Sequence, residues 1–164
     1  PNTVCTAGST QLFAEPSTSV LGATYTWTGP NPNRMIPDVE NPLLENLILE
    51  DSGTYIVTIT DPVTLCASTD SVLVVISQGE KGSIYSDGIN TGVVKALDLE
   101  ILSTLGAGDV FHGALLAAQI WGEPIKESVE IANVVAGLSC RGLDGQSGIP
   151  RKNELDAYMA KAKI

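Results

Sequence analysis

The chain has 164 residues, of which 43% are hydrophobic and 17% charged, and this balance excludes an intrinsically disordered protein. Its formal net charge is −10, so nucleic acid and anionic membranes are not expected as partners. The acidic residues concentrate in the first half, where Arg34 is the one basic residue among positions 1–77. No apolar run in the sequence is long enough to span a bilayer.

The first half consists of short β-type runs separated by turn residues. Its β-branched and aromatic residues predict strands at 11–14, 23–28, 43–47, 54–60 and 69–76. Glycine, proline and asparagine separate these runs, most clearly at 29–33. Because no helical periodicity interrupts the pattern, it favours a β-sandwich.

Two motifs in this half point to a particular kind of sandwich. Trp27 lies in the string Y-T-W-T-G-P, at a position suited to the core tryptophan of a central strand. The string D-S-G-T-Y, which ends at Tyr55, resembles the turn that leads into a tyrosine corner. Residues 1–76 therefore resemble the Ig-like and PKD-like repeats of bacterial extracellular proteins. That resemblance implies an all-β Ig-like sandwich.

The three cysteines, Cys5, Cys66 and Cys140, allow two interpretations. Cys5 and Cys66 bracket the first half, so we predict a disulfide between them and a buried thiol at Cys140. Such a bridge would tie the first strand to the end of the sheet, and it would indicate an oxidising compartment. The alternative is a cytosolic protein with three free thiols.

The second half, residues 77–164, predicts a mixture of strands and helices. A turn at 79–82 is followed by strand-like runs at 83–85, 93–96 and 99–102. Apolar residues then recur at helical spacing in 110–121, 125–139 and 153–161. Strands followed by helices are typical of an α/β structure.

The segment 103–109, S-T-L-G-A-G-D, joins a strand-like run to the first predicted helix. Its two glycines allow a tight turn whose N–H groups converge, and the helix N-terminus adds a positive dipole end. These features suit a phosphate group, and Asp109 is placed to accept a proton beside it. The alternative is an ordinary strand-to-helix turn with Asp109 as the N-cap.

The string T-L-G-A-G-D-V-F-H-G-A resembles the C-terminal signature of the ribokinase-like (PfkB) carbohydrate kinases, D-T-x-G-A-G-D-x-F-x-G-A. The resemblance extends from Val74 to Lys163, and it implies that residues 77–164 form an α/β fragment of the ribokinase-like fold. Ser103 stands where the signature has Asp. The family's activity is phosphoryl transfer from ATP, with Mg²⁺, to a hydroxyl group of a sugar or nucleoside.

The same resemblance implies roles for individual residues. Asp109 would be the catalytic general base, and the backbone amides of Gly106, Ala107 and Gly108 would form the anion hole for the transferring phosphoryl group. Cofactor-binding positions would be Gly79 and Gly82, which border the nucleotide, and Asn133, which lies near the adenine site.

Taken together, the two halves predict a chimeric or truncated chain that carries the ATP and anion-hole segment of a sugar or nucleoside kinase. We expect this segment not to act alone, because the kinase's substrate-binding part is not recognisable in residues 1–76. The alternative is an extracellular structural or adhesive Ig-like module of a surface fibre, which self-associates through its β edges. The first half predicts an extracellular or cell-surface location, and the second a cytoplasmic one.

Overall fold

The computed structural model describes residues 2–5, 7–14, 21–86 and 91–162 of the chain. Its strands are β1 (Asn2–Cys5), β2 (Thr10–Gln11), β3 (Thr24–Thr28), β4 (Leu43–Leu44), β5 (Gly53–Thr60), β6 (Ala67–Ser77), β7 (Ser83–Ser86) and β8 (Thr91–Val94). Its α-helices are α1 (Ala107–Ile120), α2 (Ile125–Ser139) and α3 (Lys152–Ala162). Two short 3-10 helices cover Leu49–Asp51 and Gly79–Lys81. No helix in the described ranges has the length and apolar character needed to cross a membrane.

Most of the strands belong to a single mixed sheet. Its strand order is β3-β5-β6-β7-β8, and β1 pairs with β6 in parallel, while β3, β5 and β6 pair antiparallel. Strands β2 and β4 form a separate antiparallel pair. The predicted all-β Ig-like sandwich is therefore wrong, and the fold is mixed α/β. Strand-forming residues indicate a pleated, half-buried surface, but they do not specify which strands pair or whether helices cover them.

The chain divides into two compact units, which are described separately below. The first contains Pro1–Ser77 together with Ile84–Thr91, and the second contains Gln78–Ser83 together with Gly92–Ile164. The boundary between the units therefore lies near the end of β6. After it, residues 78–83 belong to the second unit, residues 84–91 to the first, and the rest of the chain to the second. The assignment of residues 1–76 and 77–164 to separate domains stays a prediction.

The core of the first unit forms around the inward-facing residues of β3, β5 and β6. Trp27, Tyr55 and Val74 are all buried, and neighbouring positions of β5 alternate between buried and more exposed. The Tyr55 hydroxyl donates a hydrogen bond to the Asp51 carbonyl oxygen at 2.9 Å. The turn predicted from D-S-G-T-Y is thus present locally, and burial raises the pKa of the Tyr55 hydroxyl.

A buried carboxylate, Asp51, organises the loops of the first unit. Arg34 donates two hydrogen bonds to it, from Nε and from one terminal nitrogen, each at 2.6 Å. The Ile48 N–H and the Asn31 side-chain amide donate two more at 2.8 Å. Burial alone would raise the pKa of the Asp51 carboxyl, but these hydrogen bonds outweigh it and the pKa lies below its ordinary value.

The predicted Cys5–Cys66 disulfide is also wrong. The Cys66 thiol is free and exposed, whereas the side chain of Cys5 lies outside the described residues. The backbone register explains the result, because Cys5 lies opposite Ser77 at one end of β6 and Cys66 precedes the other end. A strand rise of about 3.3 Å per residue separates them by about 35 Å, far beyond disulfide reach.

Thiol labelling of the wild-type chain, with the labelled cysteines identified by mass spectrometry, tests this arrangement. We expect Cys66 to react with a water-soluble reagent under native, non-reducing conditions, because its thiol is free and exposed. Cys140 is 7% exposed, as predicted for a buried thiol, and should react only after unfolding. Protection of Cys66 in the native chain that is lost on reduction would contradict the prediction.

The helices of the second unit pack around a small apolar core. Val134, Val135 and Leu138 of α2 contact Leu155 of α3 in this core, and Leu97 packs against them. The α2 helix has the bounds that its periodicity predicts. The strand predicted at 99–102 is wrong, because the structure shows no strand there: Leu99 packs against the helical core, whereas Ile101 and Leu102 are 52% and 58% exposed.

Candidate active site

The loop before α1 makes a tight turn whose geometry depends on Gly106. Gly106 has φ +75°, in the left-handed region that glycine adopts without steric cost, and it is the N-cap of α1. Upstream, the N–H groups of Leu102 and Ser103 donate to the Cys140 carbonyl oxygen at 2.9 and 3.2 Å. The loop is thereby attached to the end of α2.

A second loop, residues 142–148, packs against this turn. A Cβ placed on Gly106 would lie 3.2 Å from the Gly145 Cα, so the two backbones are nearly in contact. The second loop is braced by Asp144, whose Oδ1 accepts hydrogen bonds from the N–H groups of Ser147 and Gln146. These bonds lower the pKa of the Asp144 carboxyl.

The N–H groups predicted to form an anion hole differ in availability. The Ala107 N–H donates to the Thr104 carbonyl oxygen at 3.2 Å, so it is already engaged. No acceptor for the Gly108 N–H is found among the described residues, and Gly108 is exposed. Because the N-terminal end of α1 carries a positive partial charge, the Gly108 N–H is suited to donate to an anion.

Asp109 lies in the first turn of α1, with an exposed side chain. It lines one end of a cavity of about 520 Å³, a volume typical of small-molecule sites. The cavity follows one face of α1 towards Trp121, and its walls are mostly apolar. They comprise Val110, Gly113, Ala114, Ala117, Ile131, Val135, Ile149, Pro150 and Leu155, with Lys152 near the far end.

The residues predicted to bind the nucleotide lie in a different part of the second unit. Asn133 is 9% exposed, and its amide oxygen accepts a hydrogen bond from the Ser83 hydroxyl at 3.2 Å. Its amide nitrogen donates to the Val94 carbonyl oxygen at 3.5 Å. Gly82 packs against the same carbonyl, whereas Gly79 is exposed and contacts nothing at its Cβ position. Gly82 and Asn133 therefore both contact the Val94 carbonyl oxygen, whereas Gly79 does not.

Two residues of the cavity wall, Trp121 and Lys152, are in contact with each other, and the sequence alone does not predict this contact. The Lys152 ammonium lies 5.1 Å from the centre of the Trp121 ring, which is a cation–π distance, and it also pairs with Asp156. Trp121 is 52% exposed at the end of α1. No local pattern indicates this contact, because α1 and α3 come together only in the folded chain.

Comparisons with known proteins identify relatives of much of the chain. The model of the pfkB family carbohydrate kinases matches residues 57–152. The ribokinase of Bacillus subtilis is 32% identical over 85 residues, which are 52% of this chain and 29% of that protein. The 1-phosphofructokinase of Escherichia coli is 29% identical over 91 residues, 56% of this chain and 28% of that protein. The chain thus spans under a third of the length of these relatives.

Solved structures agree with the sequence relatives. The ribokinase of Thermotoga maritima gives a TM-score of 0.50 at 29% identity, covering 53% of this chain and 29% of that one. A ribokinase II of Escherichia coli, solved with ATP and Mg²⁺, gives 0.51 at 24% identity over 54% of this chain and 29% of that one. The family match begins at residue 57, inside β5, and so includes β6, whereas the sequence resemblance begins at Val74.

Proposed function

The chain belongs to the pfkB family of carbohydrate kinases, and from this premise we propose that it serves phosphoryl transfer from ATP to a sugar or nucleoside hydroxyl. The observation that carries the proposal is the N-terminal end of α1. There the free Gly108 N–H and the Asp109 carboxylate lie on adjacent residues, within the part of the chain that the family matches. A donor beside an acceptor is the pair that such a transfer needs.

Each group has a defined part in the reaction. The Asp109 carboxylate accepts the proton of the attacking hydroxyl, whose oxygen forms the new bond to the γ-phosphorus. The bond between that phosphorus and the bridging oxygen breaks, and its electron pair leaves with ADP. The Gly108 N–H and the positive end of α1 stabilise the negative charge on the transferring group. Asp109 serves as the general base in this proposal. The turn at Gly106 positions the Gly108 N–H next to the Asp109 carboxylate.

The departure from the family signature at Ser103 is compatible with the same turn. The Ser103 hydroxyl accepts a hydrogen bond from the Leu105 N–H at 3.2 Å. Aspartate and serine both make this local contact to the backbone two residues on, although the hydroxyl does so more weakly. Ser103 therefore supports the loop conformation, but it brings no negative charge to the anion site.

The described residues fit a nucleotide phosphate better than a protein-held metal ion. The exposed Gly108 N–H without an acceptor is a donor suited to a phosphate oxygen. No group of three His, Cys, Asp or Glu side chains in the described parts of the chain could hold a metal. Mg²⁺ is commonly bound through substrate phosphates and water, so it would enter with ATP and neutralise phosphate charge.

Removing the Gly108 N–H tests the anion site directly. We expect Gly108→Pro to weaken binding of ATP with Mg²⁺ by about tenfold or more, because a charge-assisted hydrogen bond contributes about 1.5–3 kcal/mol. Isothermal titration on the full chain measures the affinity. The matched control is Gly108→Ala, which keeps the N–H and has open space at its Cβ position.

Thermal unfolding shows whether either variant perturbs the fold. Proline is tolerated in the first helical turn, where the N–H has no intrahelical partner, so both variants should retain helical circular dichroism. The wild-type chain should be stabilised by about 2.7 kcal/mol when ATP is present at a hundred times its Kd. Absence of ATP binding by the wild-type chain, or equal affinities of the two variants, would refute the proposed site.

A further inference from the structure

Strand β3 forms one edge of the sheet in the first unit. Strand β5 pairs with it on one side, and no segment in the described parts of the chain hydrogen-bonds to its backbone on the other. In an antiparallel pair, the N–H and C=O groups of every second residue point away from the partner strand. Along its outer side β3 therefore offers a row of backbone donors and acceptors on which another extended strand can pair.

This edge lacks the features by which proteins commonly protect an exposed strand, which are lysine, proline, inward-pointing charges and bulges. The strand reads T-Y-T-W-T, and positions 21–33 contain no charged residue in a chain that has 19 acidic ones. Its register with β5 is continuous from Thr24 to Thr28, so no bulge interrupts it. Strand β6, in contrast, carries the exposed Asp70 in the stretch that β1 does not pair with.

The sequence of β3 is nearly symmetric about Thr26. When two copies of the strand pair antiparallel with Thr26 opposite Thr26, Thr24 lies opposite Thr28 and Tyr25 lies opposite Trp27. Aromatic–aromatic and Thr–Thr pairs are among the favourable cross-strand combinations. The three threonines are exposed on one face of the sheet, whereas Trp27 on the other face is 6% exposed. This register keeps the two buried faces on the same side, and a slip of one residue would turn one of them over.

We propose that β3 is a homodimerisation edge, at which two copies of this chain pair antiparallel about Thr26 and extend their sheets into one. The contact is isologous, because each copy presents the same strand to the other. A second copy is the partner that the strand itself specifies, since it supplies a matching residue at all five positions. A net charge of −10 on each copy works against association, but salt screens exposed charges and none lies on the edge.

Sedimentation of the full chain over a range of concentrations tests the proposal. Five paired residues make a contact smaller than the about 1,200–2,000 Å² of stable interfaces, so we expect a weak, concentration-dependent dimer. The amides of residues 24–28 should exchange with deuterium more slowly in concentrated than in dilute solution, because the second copy engages them. A chain that stays monomeric up to about 1 mM, which corresponds to less than about 4 kcal/mol of association, would overturn the proposal.

A lysine at the symmetry axis provides the specific variant. Thr26→Lys should weaken the dimer by about tenfold or more, because it places two like charges directly opposite each other. Thr69→Lys on β6 is the matched control: Thr69 is also exposed, and it lies in the same row of the sheet, since Thr58 of β5 is opposite both. Both variants carry the same charge and should unfold in urea as the wild type does. Equal weakening by the two variants, or weakening by Thr69→Lys alone, would refute pairing through β3.

Disulfide trapping tests the register. Opposite residues of an antiparallel pair have Cα atoms about 4.5–5.5 Å apart, which lies within the range that a disulfide spans. In a background without Cys5 and Cys66, both replaced by serine, Thr26→Cys should therefore give a covalent dimer under mild oxidation with glutathione disulfide. Thr69→Cys in the same background should stay largely monomeric. Cross-linking of the two variants to the same yield would show that the copies do not meet at Thr26.

Discussion

Replacement of Arg34 by methionine is expected to destabilise the first unit by about 3–5 kcal/mol. Asp51 is fully buried, and Arg34 supplies two of its four hydrogen bonds at 2.6 Å. Methionine keeps an apolar stem of similar length but removes both donors. The carboxylate then stays buried without its counter-charge, which costs more than an exposed ion pair contributes. This would be a large fraction of the stability of a small domain.

Urea denaturation followed by tryptophan fluorescence measures the loss. The sequence has two tryptophans, so a Trp121→Phe background leaves the buried Trp27 as the reporter of the first unit. Arg141→Met, followed by helical circular dichroism because it lies in the second unit, is the control for an exposed ion pair, since Arg141 pairs with Glu154 and the two side chains are 44% and 49% exposed. Its loss should cost under about 1 kcal/mol. Equal losses for the two variants would show that the Asp51 pair is not a buried one.

The pH dependence of stability supplies a second readout for Arg34→Met. The pKa of Asp51 lies below its ordinary value of 3.8 in the folded wild-type chain, so its contribution is present above that pH. The contribution is lost as the pH falls through the folded-state pKa. Without Arg34, two hydrogen bonds and a positive charge no longer lower the pKa of this carboxyl, whereas burial still raises it, so its folded-state pKa rises. The stability that Asp51 contributes above its pKa, and the slope of stability against pH that it causes in the acid range, should therefore become smaller.

Local structure in this chain can be predicted from the sequence where the pattern that specifies it, such as helical periodicity or a β-branched run, lies within one segment. The α2 helix has its predicted bounds because its apolar residues recur at helical spacing, and β5 follows from a β-branched run. The Ig-like sandwich fails because it depends on which strands pair. The parallel pairing of β1 with β6 joins residues more than 70 positions apart, and no local pattern encodes it. The predicted Cys5–Cys66 bridge fails for the same reason.

In the candidate site, too, the features formed by neighbouring residues are predictable, whereas the contacts between distant segments are not. Gly106, Gly108 and Asp109 are neighbours in the sequence, so the motif predicts their placement at the start of a helix, and the structure has them there. The support of Gly106 by Gly145 is not predictable, since it joins two loops nearly 40 residues apart. The Trp121–Lys152 contact likewise depends on how α3 returns to α1.

Gly82→Ala is the second variant with a large expected effect, about 4 kcal/mol of destabilisation in the second unit. Gly82 has φ +96° and ψ −138°, a conformation that other residues adopt with strain of about 1–3 kcal/mol. A Cβ at this position would also lie 2.0 Å from the Val94 carbonyl oxygen and 2.7 Å from the Ala96 nitrogen. Backbone atoms cannot move aside as a side chain can, so overpacking adds a comparable cost.

Gly79→Ala is the control that separates packing from nucleotide contact at this turn. Gly79 also has a positive φ, +59°, but nothing lies within 4 Å of its Cβ position, so the substitution should cost about 1 kcal/mol. Helical circular dichroism during urea denaturation reports the second unit, because α1, α2 and α3 all lie there. If both alanine variants lose the same stability, Gly82 is not packed against Val94 as described. A difference of several kcal/mol means that glycine at 82 is required by the fold itself, so its presence in the kinase-like pattern is no independent sign of a bound nucleotide.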